Sequence, residues 1–395
     1  MAQTLTASLM RSVNRYAILD HIRRYGPTTR TRIAKQLNVS VPTVMRIVDS
    51  LMAEDLVRPS GGSEVNRGRP APLLDYNGDS YAVIGVDLGG SKMFGAVSDL
   101  AGNIQHEINI PIGQGDGQSN LDRLMELIQR LLDAPRPEGQ RVRGIGIGAP
   151  GITLSQEGIV TWAPGLDWRD MPLKAMVSER FEHSVFVEND VNLSTLGELN
   201  FGAGRDAHNL VCIAIGTGIG AGIVINRALY RGHNQASGEI GYLVPCVEAL
   251  GRTYGEFGAF EMLASGPGIA RRAREYLIRQ GVSHPPEELT AEDVFEAARA
   301  QEAWALAVTQ ETVDLLSLAV ANVSTLFNPE LVILGGGVAR SADLLIDSIQ
   351  RRIEGVVPYP PKIVASKLGL RAAVMGAITL VLSGTSDHLV VERVM

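Results

Sequence analysis

The sequence contains little cysteine: Cys212 and Cys246 are the only two among 395 residues. No disulfide framework and no multi-cysteine zinc cluster can be built within the chain from two thiols. Long hydrophobic runs are also missing. The most apolar stretch, residues 211–225, is interrupted by Gly216, Gly218, Gly220 and Gly222, and it falls short of the ~20 residues a membrane-spanning helix needs. The N-terminus lacks an uninterrupted apolar stretch followed by a cleavage site, so it does not read as a signal peptide. No Gly-Lys-Ser/Thr phosphate loop occurs. Together these absences point to a reducing, cytoplasmic location with no membrane partner.

What is present describes a folded, multidomain chain. A 45% hydrophobic share with only 20% charged residues can fill a sizeable core and excludes disorder over most of the length. At ~150 residues per domain the length suggests two or three domains. The 43 glycines exceed the usual ~7%, which points to tight turns or to backbone in close approach to a ligand. The net charge of −7 hides an asymmetry. Residues 1–75 carry 11 Lys+Arg against 6 Asp+Glu, and the rest carries 25 against 37. A basic head on an acidic body implies that only the head meets nucleic acid.

Within the head, Ile18, Ile22 and Tyr25 share one helical face that stops at Gly26-Pro27. Residues 31–37 predict a short second helix burying Ile33, Ala34 and Leu37. After the turn Asn38-Val39-Ser40, Ser40 caps a third helix with Pro42 near its start. That helix buries Val44, Ile47, Val48 and Leu51, and its other face shows Thr43, Arg46, Asp49 and Ser50. A short helix, a three-residue turn and a capped helix is helix-turn-helix architecture. Thr43 and Arg46 would enter the major groove; the plainer reading is a small docking bundle. Residues 55–58 and 72–75 are candidates to pair as a wing. Residues 59–72 read as a basic linker, whose Arg67 and Arg69 flank a glycine and suit a narrow minor groove.

The body reads as a duplicated α/β unit with a cleft between two lobes. Residues 81–99 predict strand, the turn Asp87-Leu88-Gly89-Gly90-Ser91-Lys92, and strand. Residues 210–226 predict strand, the turn Gly216-Thr217-Gly218-Ile219-Gly220, and strand. Such turns can set backbone N–H groups against phosphates. Residues 331–337 form a third candidate, a buried-type strand ending in Gly335, Gly336 and Gly337 before a helix near Ala342. Gly146-x-Gly148-x-x-Gly151 matches a dinucleotide fingerprint, but Pro150 and another turn follow it, so the match is set aside. Glu188-Asn189-Asp190-Val191-Asn192 closes an apolar strand just before a helix over 191–199. Asp190 either caps that helix or serves as a carboxylate general base in the cleft, with Asn189 binding a hydroxyl.

Taken as a set, these motifs resemble the ROK family of bacterial repressors and sugar kinases, in the branch with an N-terminal winged helix. The resemblance also rests on Gly148-Ala149-Pro150-Gly151, Gly238-Glu239-Ile240-Gly241, Gly335-Gly336-Gly337-Val338 and Arg371-Ala372-Ala373-Val374-Met375-Gly376-Ala377. It implies a winged helix-turn-helix (residues 1–58), a basic linker with a possible wing strand (59–78) and a two-lobed, actin-like (ribonuclease H-like) ATPase fold (79–200 and 201–395). It implies a closing helix that packs back on the first lobe. Asp87, Gly89, Gly90, Ser91 and Lys92 would face Mg-ATP phosphates, with Gly216, Thr217 and Gly218 opposite and Gly335, Gly336 and Gly337 near the adenosine. Asn189, Asp190, Glu239 and Glu261 would bind a hexose or amino sugar, and Asp190 would be the base in a kinase.

The departures are specific. The family's histidine after Gly-Glu-Ile-Gly is Tyr242, and its three zinc cysteines correspond to Arg252, Tyr254 and Ala259. No structural zinc is expected. Gly255, Gly258 and Glu261 persist, with Tyr254, Phe257 and Phe260 to pack the loop. Gly165 stands where an asparagine is common. The reading favoured is a sugar-responsive transcription factor, binding a two-fold operator as a homodimer or homotetramer. The alternatives are an ATP-dependent sugar kinase with a DNA-binding head, and a degenerate scaffold.

Overall fold

In a computed structural model, residues 7–66, 69–112, 116–254, 258–286 and 288–384 are described. Arg67, Gly255, Phe257 and the Arg69 side chain lie outside that description.

The head opens with α1 (Ala7–Tyr25), α2 (Arg30–Leu37) and α3 (Val41–Ala53). Thr29 caps α2 and Ser40 caps α3, each accepting a backbone N–H of the first turn. Ile18, Ile22, Ile33, Val44, Val48 and Leu51 are fully buried among the three helices. Arg15 clamps α1 to the end of α3 through both oxygens of Glu54 at 2.7 and 2.8 Å. Tyr25 is a correction: it is 64% exposed, because α1 ends there and the ring leans on His21 at 5.0 Å. Leu37 is only half-buried.

The basic linker is a second correction. Strands β1 (Val57–Asn66) and β2 (Arg69–Tyr76) pair antiparallel, with Arg58 opposite Asp75 and Pro59 opposite Leu74. The pairing shifts register between Pro59 and Ser63. A bulge there absorbs Gly61 and Gly62, residues that otherwise signal a loop. The wing read at 55–58 and 72–75 thus pairs in part as expected and extends through residues 59–66 and 69–72 of the stretch read as linker.

The first lobe comprises β3 (Tyr81–Leu88), β4 (Lys92–Asp99), β5 (Ile104–Pro111), α4 (Gly117–Leu132), β6 (Arg141–Ala149), β7 (Ile152–Leu154), β8 (Ile159–Ala163), β9 (Trp168–Met171), α5 (Leu173–Phe181), β10 (Val185–Asn189) and α6 (Asp190–Phe201). The second holds β11 (Leu210–Ile215), β12 (Ile219–Ile225), β13 (Ala228–Tyr230), α7 (Ala259–Ala264), α8 (Gly266–Arg279), α9 (Ala291–Arg299), α10 (Ala303–Phe327), β14 (Leu331–Gly335), α11 (Ala342–Ile353), β15 (Lys362–Ala365) and α12 (Ala372–Gly384). Both main sheets follow one plan. In the first, β5, β4 and β3 form an antiparallel meander extended by parallel β6 and β10. In the second, β13, β12 and β11 form the meander, extended by parallel β14 and β15. The duplication read from the glycine turns is thus a duplication of topology. Gly146-x-Gly148-x-x-Gly151 leads from β6 into β7, not into a helix, so no dinucleotide fingerprint is present.

Two helices hold the assembly together. Helix α12 lies on β3, β6 and α6 of the first lobe, and glycines permit the approach. A Cβ on Gly85 would stand 3.0 Å from Val374, and one on Gly146 2.7 Å from Ala377. A Cβ on Gly197 would collide with the Ala372 carbonyl, and one on Gly376 with that of Leu193. Helix α6 also packs on the second lobe, where Gly220 and Gly222 of β12 admit Val191 and Thr195. One continuous apolar cluster runs from Ile18 and Leu51 in the head to Leu193, Leu196, Ala373 and Ile378 in α6 and α12.

Gly197→Ala is expected to lower stability by about 1–3 kcal/mol, since the clash is with backbone that cannot rotate away. Gly165→Ala, where no atom lies within 4 Å of the added carbon, is expected to stay within about 0.5 kcal/mol of the parent. Denaturant midpoints of the two variants check both values.

Candidate ligand cleft and DNA-binding head

Parallel strands bring their C-terminal ends to one edge of a sheet, where open α/β folds place ligands. Asp87 of β3 and Glu188 of β10 both align with Gly148 of β6. The chain then turns into α6. Asn189 is the cap: its Oδ1 accepts from the N–H groups of Val191 and Asn192, both at 3.0 Å, and its Nδ2 donates to the Gly151 carbonyl at 3.0 Å. Asp190 is therefore not the cap. It is the first helical residue, and its carboxylate accepts from the Val191 N–H at 2.9 Å.

Four carboxylates form an electrostatic chain across the cleft. Burial pushes the Asp190 carboxyl well above its usual range, and the neighbouring charges of Asp87 and Glu239 push the same way. Burial raises Asp87 to about 7, against a partial pull downward from Lys92. Glu239 is raised by burial and then by Glu261. Burial raises Glu261 as well, opposed by a hydrogen bond from the Ile219 N–H at 2.8 Å. Asp87 and Asp190 come from the first lobe, and Glu239 and Glu261 from the second. Such a cleft favours neutral or cationic ligands and repels anions.

The glycine turns meet between the lobes, for a Cβ on Gly90 would collide with Thr217. Gly89 donates its N–H to the Lys92 carbonyl at 3.0 Å and Gly216 donates its N–H to the Gly218 carbonyl at 2.9 Å. These two amides close their own turns. Gly335 pairs beside Ala214, next to the Gly216 turn, and Gly336 adopts φ 78° against the backbone of Ile215. Glu261 packs under the same turn, 2.8 Å from where a Cβ on Gly218 would stand. Tyr242 is 55% exposed and Ala259 is buried. Among the described residues, no three His, Cys, Asp or Glu side chains converge as a metal site.

Sequence reasoning missed the ion pair that joins the lobes. Glu188 is 1% exposed and receives Arg231 through Nε at 2.8 Å and Nη2 at 2.7 Å. Its other oxygen accepts from the Asn189 N–H and from Asn192 Nδ2. Gln235 adds a second tie, its Oε1 accepting from the Ser155 N–H at 2.7 Å. The only sequence signal was a charged residue directly after the apolar Val185–Val187 strand.

The far end of α6 touches the head. Arg23 of α1 donates to Asn200 Oδ1 at 2.8 Å, and its guanidinium lies 5.3 Å above the Phe201 ring. Arg24 donates to the Arg205 carbonyl at 3.0 Å, which also accepts from Arg227 of the second lobe. Arg227 further caps α6 through the Leu199 carbonyl. Burial raises the Asp20 carboxyl, but Arg23 and Arg24 outweigh it and hold the group below its usual range. Tyr16, Leu19, Tyr76, Thr379 and Leu382 line the rest of the joint. On α3, Arg46 is exposed, and Thr43 is half-buried with its hydroxyl hydrogen-bonded to Ser40 at 2.8 Å.

A carboxyl raised by folding contributes stability in acid that is lost as pH climbs through its folded pKa. For Asp87 the loss falls between about pH 4 and about 7. Asp87→Asn is expected to gain several degrees in thermal midpoint over the parent between pH 4.5 and pH 8. A difference independent of pH would contradict the assignment. Arg231→Ala leaves Glu188 buried without its cation, so it is expected to cost about 3–5 kcal/mol, read from denaturant unfolding.

Comparison with known proteins agrees with this geometry. The ROK family profile matches residues 83–383, and a winged helix-turn-helix DNA-binding profile matches residues 11–58. A xylose repressor from Caldicellulosiruptor bescii is 30% identical over 388 residues, covering 95% of this chain and 97% of its own. A glucokinase from Halalkalibacterium halodurans is 35% identical over 309 residues, covering 76% of this chain and 93% of its own. The crystal structure of a ROK family transcriptional regulator, a homologue of the E. coli MLC protein, superposes with a TM-score of 0.83 at 27% identity, covering 98% of this chain and 99% of that one. No described helix is long and apolar enough to cross a membrane. The chain belongs to the ROK family and carries an N-terminal winged helix-turn-helix DNA-binding domain.

Proposed function

We propose that the protein is a sugar-responsive transcriptional repressor. It binds a two-fold operator as an even-numbered oligomer, and it binds a neutral monosaccharide or amino sugar between the lobes. One observation carries the reading: α6 has Asn189 and Asp190 at its cleft end and Asn200 and Phe201, against Arg23, at its head end. Twelve residues span ~18 Å, so a ligand that moves one end displaces a joint with the DNA-binding domain. Asp190 and Glu239 would accept hydroxyl protons of the sugar, with Glu261 holding the facing turn. The extent of similarity agrees: the xylose repressor aligns over 95% of the chain, the glucokinase over 76%. The cleft's carboxylates disfavour sugar acids and sugar phosphates, so the ligand class is a neutral hexose or pentose or an amino sugar.

A kinase reading rests on the placement of Asp190 beside Asp87. There, Asp190 would take the proton of the attacking hydroxyl. Asp87, Gly89, Gly90, Ser91, Lys92, Gly216, Thr217, Gly218 and Gly335–Gly337 would border Mg-ATP. The two turn amides already engaged within their own hairpins favour the sensor over the kinase.

Titration of D-xylose, D-glucose and amino sugars against labelled operator should shift DNA affinity ~5–150-fold for the cognate sugar. Asp190→Asn should weaken that response modestly through lost sugar affinity, and neither form should release ADP from Mg-ATP. No effect of any sugar, with rapid ADP release that Asp190→Asn abolishes, would replace this reading with the kinase.

A further inference from the structure

The DNA-facing side of α3 is unusually apolar for a surface meant to meet DNA. Val41 is 41% and Met45 48% exposed. They stand four residues apart, so they stack along one face, about a quarter-turn from the buried stripe of Val44, Ile47, Val48 and Leu51 and on the N-terminal half of the helix that also carries Arg46. The polar groups nearby are largely committed. Asp49 receives Arg30 at 2.8 Å, and the Thr43 hydroxyl is bonded to Ser40. Arg46 is the exposed cation between them. Exposed apolar side chains at the start of a recognition helix have one chemical counterpart in the major groove, the C5-methyl group of thymine. The basic balance of residues 1–75 brings DNA, in preference to an apolar protein surface, to this face.

We propose that Val41 and Met45 are specificity-determining residues that read thymine methyl groups in each operator half-site. Arg46, beside them, reads guanine through its O6 and N7. The consensus should therefore place thymine next to guanine, with preference carried by the methyl group and not by a hydrogen bond at that base. The proposal rests on the head acting as the DNA-binding domain, and the experiment separates the two claims.

The full-length protein is first used to enrich binding sequences from a random duplex pool. Each thymine of the enriched half-site is then replaced by uracil, which deletes the methyl and leaves base pairing unchanged. Loss of one buried methyl should weaken binding about fourfold, at one or two thymines per half-site. Val41→Ala and Met45→Ala should bind the thymine duplex more weakly and become indifferent to uracil at the position each contacts. Both residues are exposed, so unchanged thermal midpoints are expected to show the variants folded. Specific binding with no methyl dependence, or methyl dependence that survives in both variants, overturns the proposal while leaving DNA binding in place. Failure to enrich any sequence overturns the DNA-binding reading and the proposal with it.

Discussion

The structure depends on the close contact of α6 with α12. At Gly197 and Gly376 each helix backbone lies where the other's Cβ would be. Two helices packed this tightly move as one body, since interiors at crystal-like density cannot take up a displacement locally. That body is shared by every part of the molecule. Its cleft end carries Asn189 and Asp190, its flank packs on β12 of the second lobe, and its far end meets α1 of the head. Glu198, fully buried in the same helix, adds a tie to the second lobe by accepting from Ser366 Oγ and the Leu368 N–H.

Electrostatics complements this mechanical arrangement. Carboxylates from both lobes crowd the cleft, so mutual repulsion and burial leave the free protein with groups that prefer a proton or a hydroxyl donor. A sugar offers such donors without adding charge. At the opposite end of α6 the balance reverses: Arg23, Arg24 and Arg227 converge on carbonyls, Asn200 and Asp20. Arg227 of the second lobe and the end of α6 meet in this joint, so the proposed sensing would reach both together. The head's core is continuous with that of α6 and α12.

Much of this was legible in the sequence, for local reasons. Turn glycines and the apolar runs beside them marked both hairpins, and Ser40 with Pro42 marked the start of α3. Asp87, Asp190, Glu239 and Glu261 could be named from motif positions, yet nothing local indicated that their charges act on one another. The wing's strand ends were legible at 55–58 and 72–75, but its length was not, because Pro59, Gly61 and Gly62 carry the chemistry of a loop while a bulge lets them stay in a strand. The long-range partners were invisible. Arg23 and Asn200 are 177 residues apart, and Arg231 lies 43 residues from Glu188, distances over which composition carries no pairing information. Of the two readings of Asp190, the cap falls to Asn189, because an amide can both accept from the helix and donate to Gly151.

The central claim is that α6 transmits cleft occupancy to the head through Arg23. The most direct measurement is the sugar dissociation constant of wild-type and Arg23→Ala protein, each with and without saturating operator. The account predicts a ~5–150-fold change on adding operator to the wild type. It predicts a clearly smaller factor for Arg23→Ala, whose sugar affinity without DNA stays at the wild-type value. An undiminished factor in Arg23→Ala would contradict it.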